Sequence, residues 1–313
     1  MATDRHSWQK PRIRLCTTPV LPGIQSSGEA SRLNLPRLAA IPLQVVGFLC
    51  ALAMARPVHA GKWPMPAAGV SASGDPELVL TFDDGPHEKY TPIILDALKA
   101  HQYQAVFFWT GARVTHAGAH QEERLAIVER AIQAGHLIGN HTISHAKLCS
   151  VSKKEAESEI DDNTIVYENL TGMPLSLLRV PYGARCRRLD KMLSQRGLMH
   201  MHWDLDPQEF LHHSSDIAFS YVTKRLRRLT PGKRVVLLMH DTKPATARAI
   251  PKILNWIDTE NAKRISHGKR PIRVIPPSQW FEEAHPAPLL RWAQASGRSS
   301  SDSVFQALRK LTL

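Results

Sequence analysis

The sequence predicts an α/β fold, a distorted (β/α) barrel of about seven parallel strands, and three observations carry that expectation. From Glu77 onward, short apolar and often β-branched runs alternate with amphipathic stretches, the order of repeated βα units. The amphipathic stretches carry residues that start and stop helices. Several apolar runs end on carboxylates, imidazoles or a guanidine, and in a βα barrel the C-terminal ends of the strands form the catalytic face.

The expected strands lie near Leu78 to Phe82, Ala105 to Trp109, Leu137 to Asn140, Leu175 to Val180, His200 to Leu205, Arg234 to Met239 and Ile272 to Ile275. Between the second and third, Leu125, Val128, Ala131 and Ile132 repeat at helical spacing and Gly135 ends the run. After the third, Ser152 stands three residues before Glu155 as a capping box, and Gly172 closes that helix.

Residues 1–60 read as a leader, 61–76 as a linker, 77–285 as the catalytic domain and 286–313 as a Ser-rich tail with room for a short helix. Within the leader, Leu38 to Ala55 is an apolar run preceded by Arg32 and Arg37 and followed by Val58-His59-Ala60. That is the layout of a secretory signal peptide cleaved after Ala60, so the expected location is periplasmic or extracellular. The core of the run falls short of the ~20 residues that span a bilayer, so a membrane is expected as a partner only through an uncleaved leader.

The chain has 313 residues and a net charge of +12, of which 7 − 2 = +5 falls in residues 1–60 and 33 − 26 = +7 in the remainder. That balance suits an acidic polymer, a cell-wall glycan or a membrane surface, or simply an exterior of solvated Lys and Arg. The basic residues are dispersed and no nucleic-acid-binding signature accompanies them, so no nucleic-acid partner is expected. Two of the four cysteines, Cys149 and Cys186, lie beyond the leader, where they either pair or remain as buried thiols.

The first strand runs into Asp83-Asp84-Gly85-Pro86. A turn explains Asp-Gly-Pro, but not the second carboxylate. His141 and His145 follow the third strand four residues apart, so one helical turn would present both imidazoles to a single point. Two imidazoles and one carboxylate make a three-ligand metal site with positions left open for water. Arg179-Val180-Pro181-Tyr182-Gly183, Trp203-Asp204-Leu205-Asp206 and Leu237-Leu238-Met239-His240-Asp241 close later strands with polar groups.

With these residues in order, the chain resembles the polysaccharide deacetylases of carbohydrate esterase family 4, the NodB-homology domain, over roughly Glu77 to Asn261. Thr81 to Pro86 matches the family's first motif, His141 to His145 the second, Arg179 to Gly183 the third and Leu238 to Asp241 the fifth. The fourth departs: Asp206 matches, whereas Glu209 and Phe210 stand where two-Asp motifs end in Asp-Trp. Phe210 keeps an aromatic wall but loses an indole N–H, which bears on substrate preference.

The resemblance implies the NodB-homology fold and hydrolysis of N-acetyl groups on a glycan such as peptidoglycan, a chitin-type oligosaccharide or an exopolysaccharide. It implies Asp84, His141 and His145 as metal ligands, with zinc first and cobalt or nickel as alternatives. Asp83 becomes the general base, Arg179 its partner, His240 the general acid, Asp206 the group that orients His240, and the Tyr182 N–H an oxyanion donor. The competing readings are an amidase of a small non-sugar amide, a glycan-binding module without activity, and a non-haem iron oxygenase built on the same triad.

Overall fold

A computed structural model describes residues 71–284; the expected leader and tail lie outside them. Seven strands occur at the seven expected places: β1 (Glu77–Asp83), β2 (Val106–Trp109), β3 (Leu137–Asn140), β4 (Leu177–Leu178), β5 (Met199–His200), β6 (Arg234–His240) and β7 (Arg273–Val274). Nine helices connect or flank them among the described residues: α1 (Thr91–Ala100), α2 (Ala112–Thr115), α3 (Gln121–Gln133), α4 (Lys153–Thr171), α5 (Arg187–Arg196), α6 (Glu209–His212), α7 (Ser215–Arg227), α8 (Pro244–Ser266) and α9 (Pro277–Ala284). None of them is long and apolar enough to cross a membrane.

All strand pairs are parallel, in the order β5-β4-β3-β2-β1-β6. The edge of β1 away from β6 is shared, with β7 against Glu77 and Leu78 and β2 against Thr81 to Asp83. The far end curls back on itself, because the segment after β5 docks on β6 through a parallel bridge between Leu205 and Leu237. This is the distorted barrel the alternating pattern predicts.

β1 is buried along its whole length, which is why it reads as a near-continuous apolar run. Its period of two still divides the interior. Leu78, Leu80 and Phe82 face the helices and pack with Ile94, Leu98, Ile253 and Ile257. Val79 faces into the curl with Val106, Phe108, Met199, Val236 and Trp280 of α9. At the N-terminal end of the strands, the buried Glu77 carboxylate accepts from Arg234 of β6 at 2.5 Å and from Arg273 of β7 at 3.4 Å.

β4 and β5 are each two residues long where six were expected. The carbonyls that would extend them have other donors. The Arg179 guanidinium takes the carbonyls of Met201 and His202, and the Arg179 carbonyl accepts from His141. Residues 71–76 are also not a free linker: Ser71 is buried, its N–H donates to Gly232 O, and Gly74 O accepts from Gly232.

The helix signals hold locally. Ser152 Oγ accepts from the N–H of Glu155, and Gly172 ends α4 in the left-handed region at φ 65°. Cys149 and Cys186 form a disulfide with Cα atoms 6.0 Å apart, tying the segment after His145 to the start of α5.

Candidate active site

Strand alternation puts Val79, Thr81 and Asp83 on the inner side of the curl, and would turn Asp84 to the helices. Asp84 instead adopts φ 78°, a region costly for a residue with a Cβ, and its side chain comes round to the same mouth as Asp83. The turn that follows is packed to its limit, because a Cβ on Gly85 would stand 2.1 Å from the Asp241 carboxylate. The two adjacent aspartates therefore face different partners.

Asp84 meets the two histidines. Its Oδ1 lies 3.4 Å from His141 Nε2 and 3.3 Å from His145 Nε2, and ligand atoms of the three residues all fall within 4.8 Å of one another. His145 does not reach this point through a helical turn, as the four-residue spacing suggested. The segment from His141 to His145 is a loop in which Thr142 (φ 66°) and His145 (φ 63°) are both left-handed. α4 holds that loop: Glu159 accepts from the Ser144 N–H and hydroxyl, and the Ile143 N–H donates to the Glu159 carbonyl. Glu159 was missed in the sequence, where a carboxylate on a charged amphipathic helix looks like any other.

This group fits a divalent cation. His141 Nδ1 donates to the Arg179 carbonyl at 2.7 Å, which fixes the tautomer and leaves the Nε2 lone pair facing Asp84. Asp84 Oδ1 is buried with no hydrogen-bond donor among the described residues, a costly state for a carboxylate oxygen unless a cation faces it. Burial works to raise the Asp84 pKa, but before a cation takes the Nε2 lone pair the His141 imidazole is itself pushed, against its burial, toward its protonated form by the two aspartates, and attraction to it, His240 and His145 holds Asp84 well below the usual carboxylate range.

Asp83 is set up differently. Its Oδ1 accepts from Arg179 Nη1 at 2.8 Å, and its Oδ2 lies 3.8 Å from His141 Nε2, facing the triad. Arg179 is fully buried, held by Thr81 Oγ1 and two carbonyls and stacked over the Phe108 ring at 4.3 Å. Burial lowers the Arg179 pKa and the Asp83 charge opposes that, with the group still a cation at any ordinary pH.

Across the mouth, His240 ends β6 beside Asp83 in register. Its orienting partner is Glu209, not Asp206. Glu209 Oε1 lies 3.0 Å from His240 Nδ1 and accepts from the His240 backbone N–H at 2.7 Å and from Thr246 Oγ1 at 2.9 Å. Asp206 spends its Oδ1 on the N–H of Gln208, capping the turn that leads into α6. That turn carries the chain past the site at Asp206 and returns it three residues later, where Glu209 is fully buried. Burial lowers the His240 pKa, but the Glu209 bond and charge outweigh it and push the imidazole up to about 9. The Phe210 ring stands edge-on to His240 at 4.8 Å.

Tyr182 follows Pro181 at φ 60° and its ring lies 4.6 Å from that of His145. Its N–H has no protein acceptor among the described residues, and its ring is what stands beside the triad. The site thus joins a ligand triad, a carboxylate with one oxygen free and a raised imidazole.

Comparison with known proteins bears on what this assembly is. The family profile described as polysaccharide deacetylase matches residues 71–201. The chain is 31% identical over 173 residues to a chitooligosaccharide deacetylase of Bradyrhizobium, covering 55% of this chain and 74% of that one. The chain belongs to the polysaccharide deacetylase family. Another family relative is a peptidoglycan-N-acetylglucosamine deacetylase of Bacillus cereus, 32% identical over 194 residues, with 61% of this chain and 66% of that protein covered. The chain thus spans just under two thirds of that relative. Among solved structures, the peptidoglycan deacetylase PdaC of Bacillus subtilis superposes with a TM-score of 0.56 at 27% identity, over 72% of this chain and 98% of that one.

Proposed function

We propose that this protein is a metal-dependent hydrolase that removes acetyl groups from an N-acetylated glycan and releases acetate. The observation that carries the reading is the flanking of the Asp84, His141 and His145 triad by two different buried pairs, Arg179 with Asp83 and Glu209 with His240. A divalent ion held by the triad, with zinc as first choice, would polarise the acetyl carbonyl and bring the pKa of water toward ~7.

The chain's own residues do the rest. Asp83, pinned through Oδ1 by Arg179, offers Oδ2 to take a proton as water oxygen adds to the acetyl carbon. The Tyr182 N–H donates to the oxyanion that forms on the former carbonyl oxygen. His240, raised to about 9, is an imidazolium at neutral pH and can give its proton to the sugar nitrogen as the C–N bond breaks. Acetic acid and a free amine result, one proton having passed from water to Asp83 and another from His240 to nitrogen; return of the Asp83 proton to His240 through solvent restores both groups, and the acid ionises to acetate at neutral pH.

Substrates named for the relatives, peptidoglycan and chitooligosaccharides, support the glycan class. The apolar run Leu38 to Ala55 supports export to the periplasm or beyond, and the Cys149–Cys186 disulfide is consistent with an oxidising compartment. The test is acetate release by zinc-loaded protein from chitin oligosaccharides, peptidoglycan, an acetylated exopolysaccharide and small non-sugar amides. Release from a glycan supports the reading, and turnover confined to the non-sugar amides rejects it. In Asp83→Asn, zinc content should stay at the wild-type level while turnover falls by about 10²-fold or more.

A further inference from the structure

The three candidate metal ligands are not held equally. Asp84 sits in a turn packed against the Asp241 carboxylate. His141 is buried, its backbone N–H donates to the Trp109 carbonyl at the end of β2, and its ring donates to the Arg179 carbonyl. His145 has no comparable mount. Its side chain is 30% exposed, its backbone is left-handed, and its ring meets the Tyr182 ring at 4.6 Å. From His145 to Cys149 no backbone N–H donates to a protein acceptor among the described residues. Glu159 fixes the loop upstream, at Ser144, so the downstream side depends on the buried Leu148 and on what reaches the loop from α5.

The start of α5 reaches it in two ways. Arg188 donates through Nη2 to the carbonyls of Leu148 at 2.6 Å and Val151 at 2.8 Å. Cys186, the residue before α5, is bonded to Cys149. Cys149 lies four residues after His145, and Cys186 four residues after Tyr182. The disulfide therefore closes a small ring: the His145 and Tyr182 side chains meet at the mouth, and their chains are tied together a short way behind it. A disulfide anywhere in the fold would restrict the unfolded chain. This one also joins two loops that run through left-handed residues, Thr142 and His145 in one and Tyr182 and Gly183 in the other. Both cysteines are half-buried, which leaves the bond within reach of a thiol in solution.

We propose that the Cys149–Cys186 disulfide is a positioning clasp for His145 and makes metal affinity depend on the thiol–disulfide state of the chain. The inference rests on the proposed function only in taking Asp84, His141 and His145 as metal ligands, whatever the substrate. With the bond formed, the three ligands are presented together. With it open, Asp84 and His141 stay where their strands put them, and His145 moves with an unclasped loop. To form the bond, the two thiols give two electrons and two protons to a disulfide oxidant, which leaves as two thiols. Opening is the reverse exchange, begun by attack of an external thiolate on one sulfur. Full-affinity metal loading is thereby confined to surroundings in which a disulfide persists.

The test is the zinc affinity of the full chain, measured by competition with a chromophoric chelator, for wild type and for Cys149→Ser/Cys186→Ser. The double variant removes the clasp without offering thiols as new ligands, and Cys16 and Cys50 are present in both proteins. Contacts that orient a metal ligand are worth about 10–100-fold in affinity, so the double variant should bind zinc more weakly than oxidised wild type by that factor. Wild type opened by a water-soluble phosphine, which takes oxygen from water as the two thiols form, should weaken likewise and recover on reoxidation with oxidised glutathione. Affinity unchanged in either the double variant or the reduced wild type overturns the proposal. Ile257→Ala controls for a softened fold, since Ile257 is a buried core residue of α8. It should lower the thermal midpoint yet keep zinc affinity within about twofold of wild type, as expected of a site remote from the ligands. An equal loss of affinity in Ile257→Ala and the double variant would reduce the disulfide to a general staple and also overturn the proposal. Zinc affinity is read without substrate, so the outcome is independent of whether acetate is released.

Discussion

The two buried pairs at the mouth, Arg179 with Asp83 and Glu209 with His240, have opposite anchors. In the first the cation is fixed, by Thr81, two carbonyls and the Phe108 ring, and the carboxylate keeps one oxygen for chemistry. In the second the carboxylate is fixed, by the His240 N–H and Thr246, and the titrating partner is the one exposed to the site. A guanidinium does not give up its proton in the working range, so the first pair is a permanent mount. An imidazole does, so the second is adjustable. In the proposed mechanism the first geometry would hold a base and the second would tune an acid.

The largest effect should come from removing the permanent mount. Arg179→Met leaves Asp83 buried without its cation and frees the carbonyls of Met201 and His202, so we expect a loss of about 3–5 kcal/mol, read by urea unfolding, together with loss of turnover. Arg179→Lys should rescue little, because a single ammonium cannot serve Thr81, Asp83 and two carbonyls at once. Full rescue by Lys would show that charge alone matters and would erase the contrast between the pairs.

Removing the tuning carboxylate should do something else. Glu209→Gln keeps an acceptor for the His240 N–H but loses the charge, so the alkaline limb of activity should move down by about 1–3 pH units with the substrate KM little changed. The sign for stability follows from the raised pKa. The pair contributes fully below the ordinary imidazole value of 6.5, and its contribution is lost as pH rises through about 9. The wild-type minus Glu209→Gln stability difference should therefore shrink between those values in a pH series of denaturation curves.

Much of this was legible in the chain. β1, β3 and β6 end within a residue or two of the expected positions, because strands buried on both faces must be apolar throughout. Asp83, Asp84, His141 and His145 could be picked out because polar residues directly after such runs have no packing role. What could not be read was backbone direction. Asp84, Thr142 and His145 all rely on positive φ, a region that Asp and His enter more readily than most residues but too rarely for the sequence to place it at a given position. Asp206 and Glu209 were misassigned for the same reason: a turn, not a spacing rule, decides which carboxylate returns to His240.

A third buried carboxyl completes the comparison, since Asp241 makes no ion pair among the described residues and the cation it feels is the more distant Arg113. Its Oδ2 accepts from Thr91 Oγ1 at 2.7 Å and Trp109 Nε1 at 2.9 Å, while Oδ1 is unpartnered among the described residues. Burial outweighs those two bonds and raises its pKa from 3.8 to about 7. A raised carboxyl favours the fold below pH 3.8 and loses that contribution as pH rises to about 7, at about 1.4 kcal/mol per unit. Asp241→Asn retains an acceptor for Thr91 and Trp109 and cannot ionise, so it should flatten this part of the stability profile and match or exceed wild type above pH 7.

The smallest effect is expected at Asp206, whose carboxylate has the Gln208 N–H as its hydrogen-bond donor among the described residues and meets His240 only through charge. Asp206→Asn should hold that turn and leave the alkaline limb within about 0.3 pH units of wild type, a shift near the noise of one coupled charge at a partly solvated site. A limb displaced as far as in Glu209→Gln would return the tuning role to Asp206. It would also mean that His240 leaves Glu209 during turnover, so that the adjustable pair has two carboxylates to choose between.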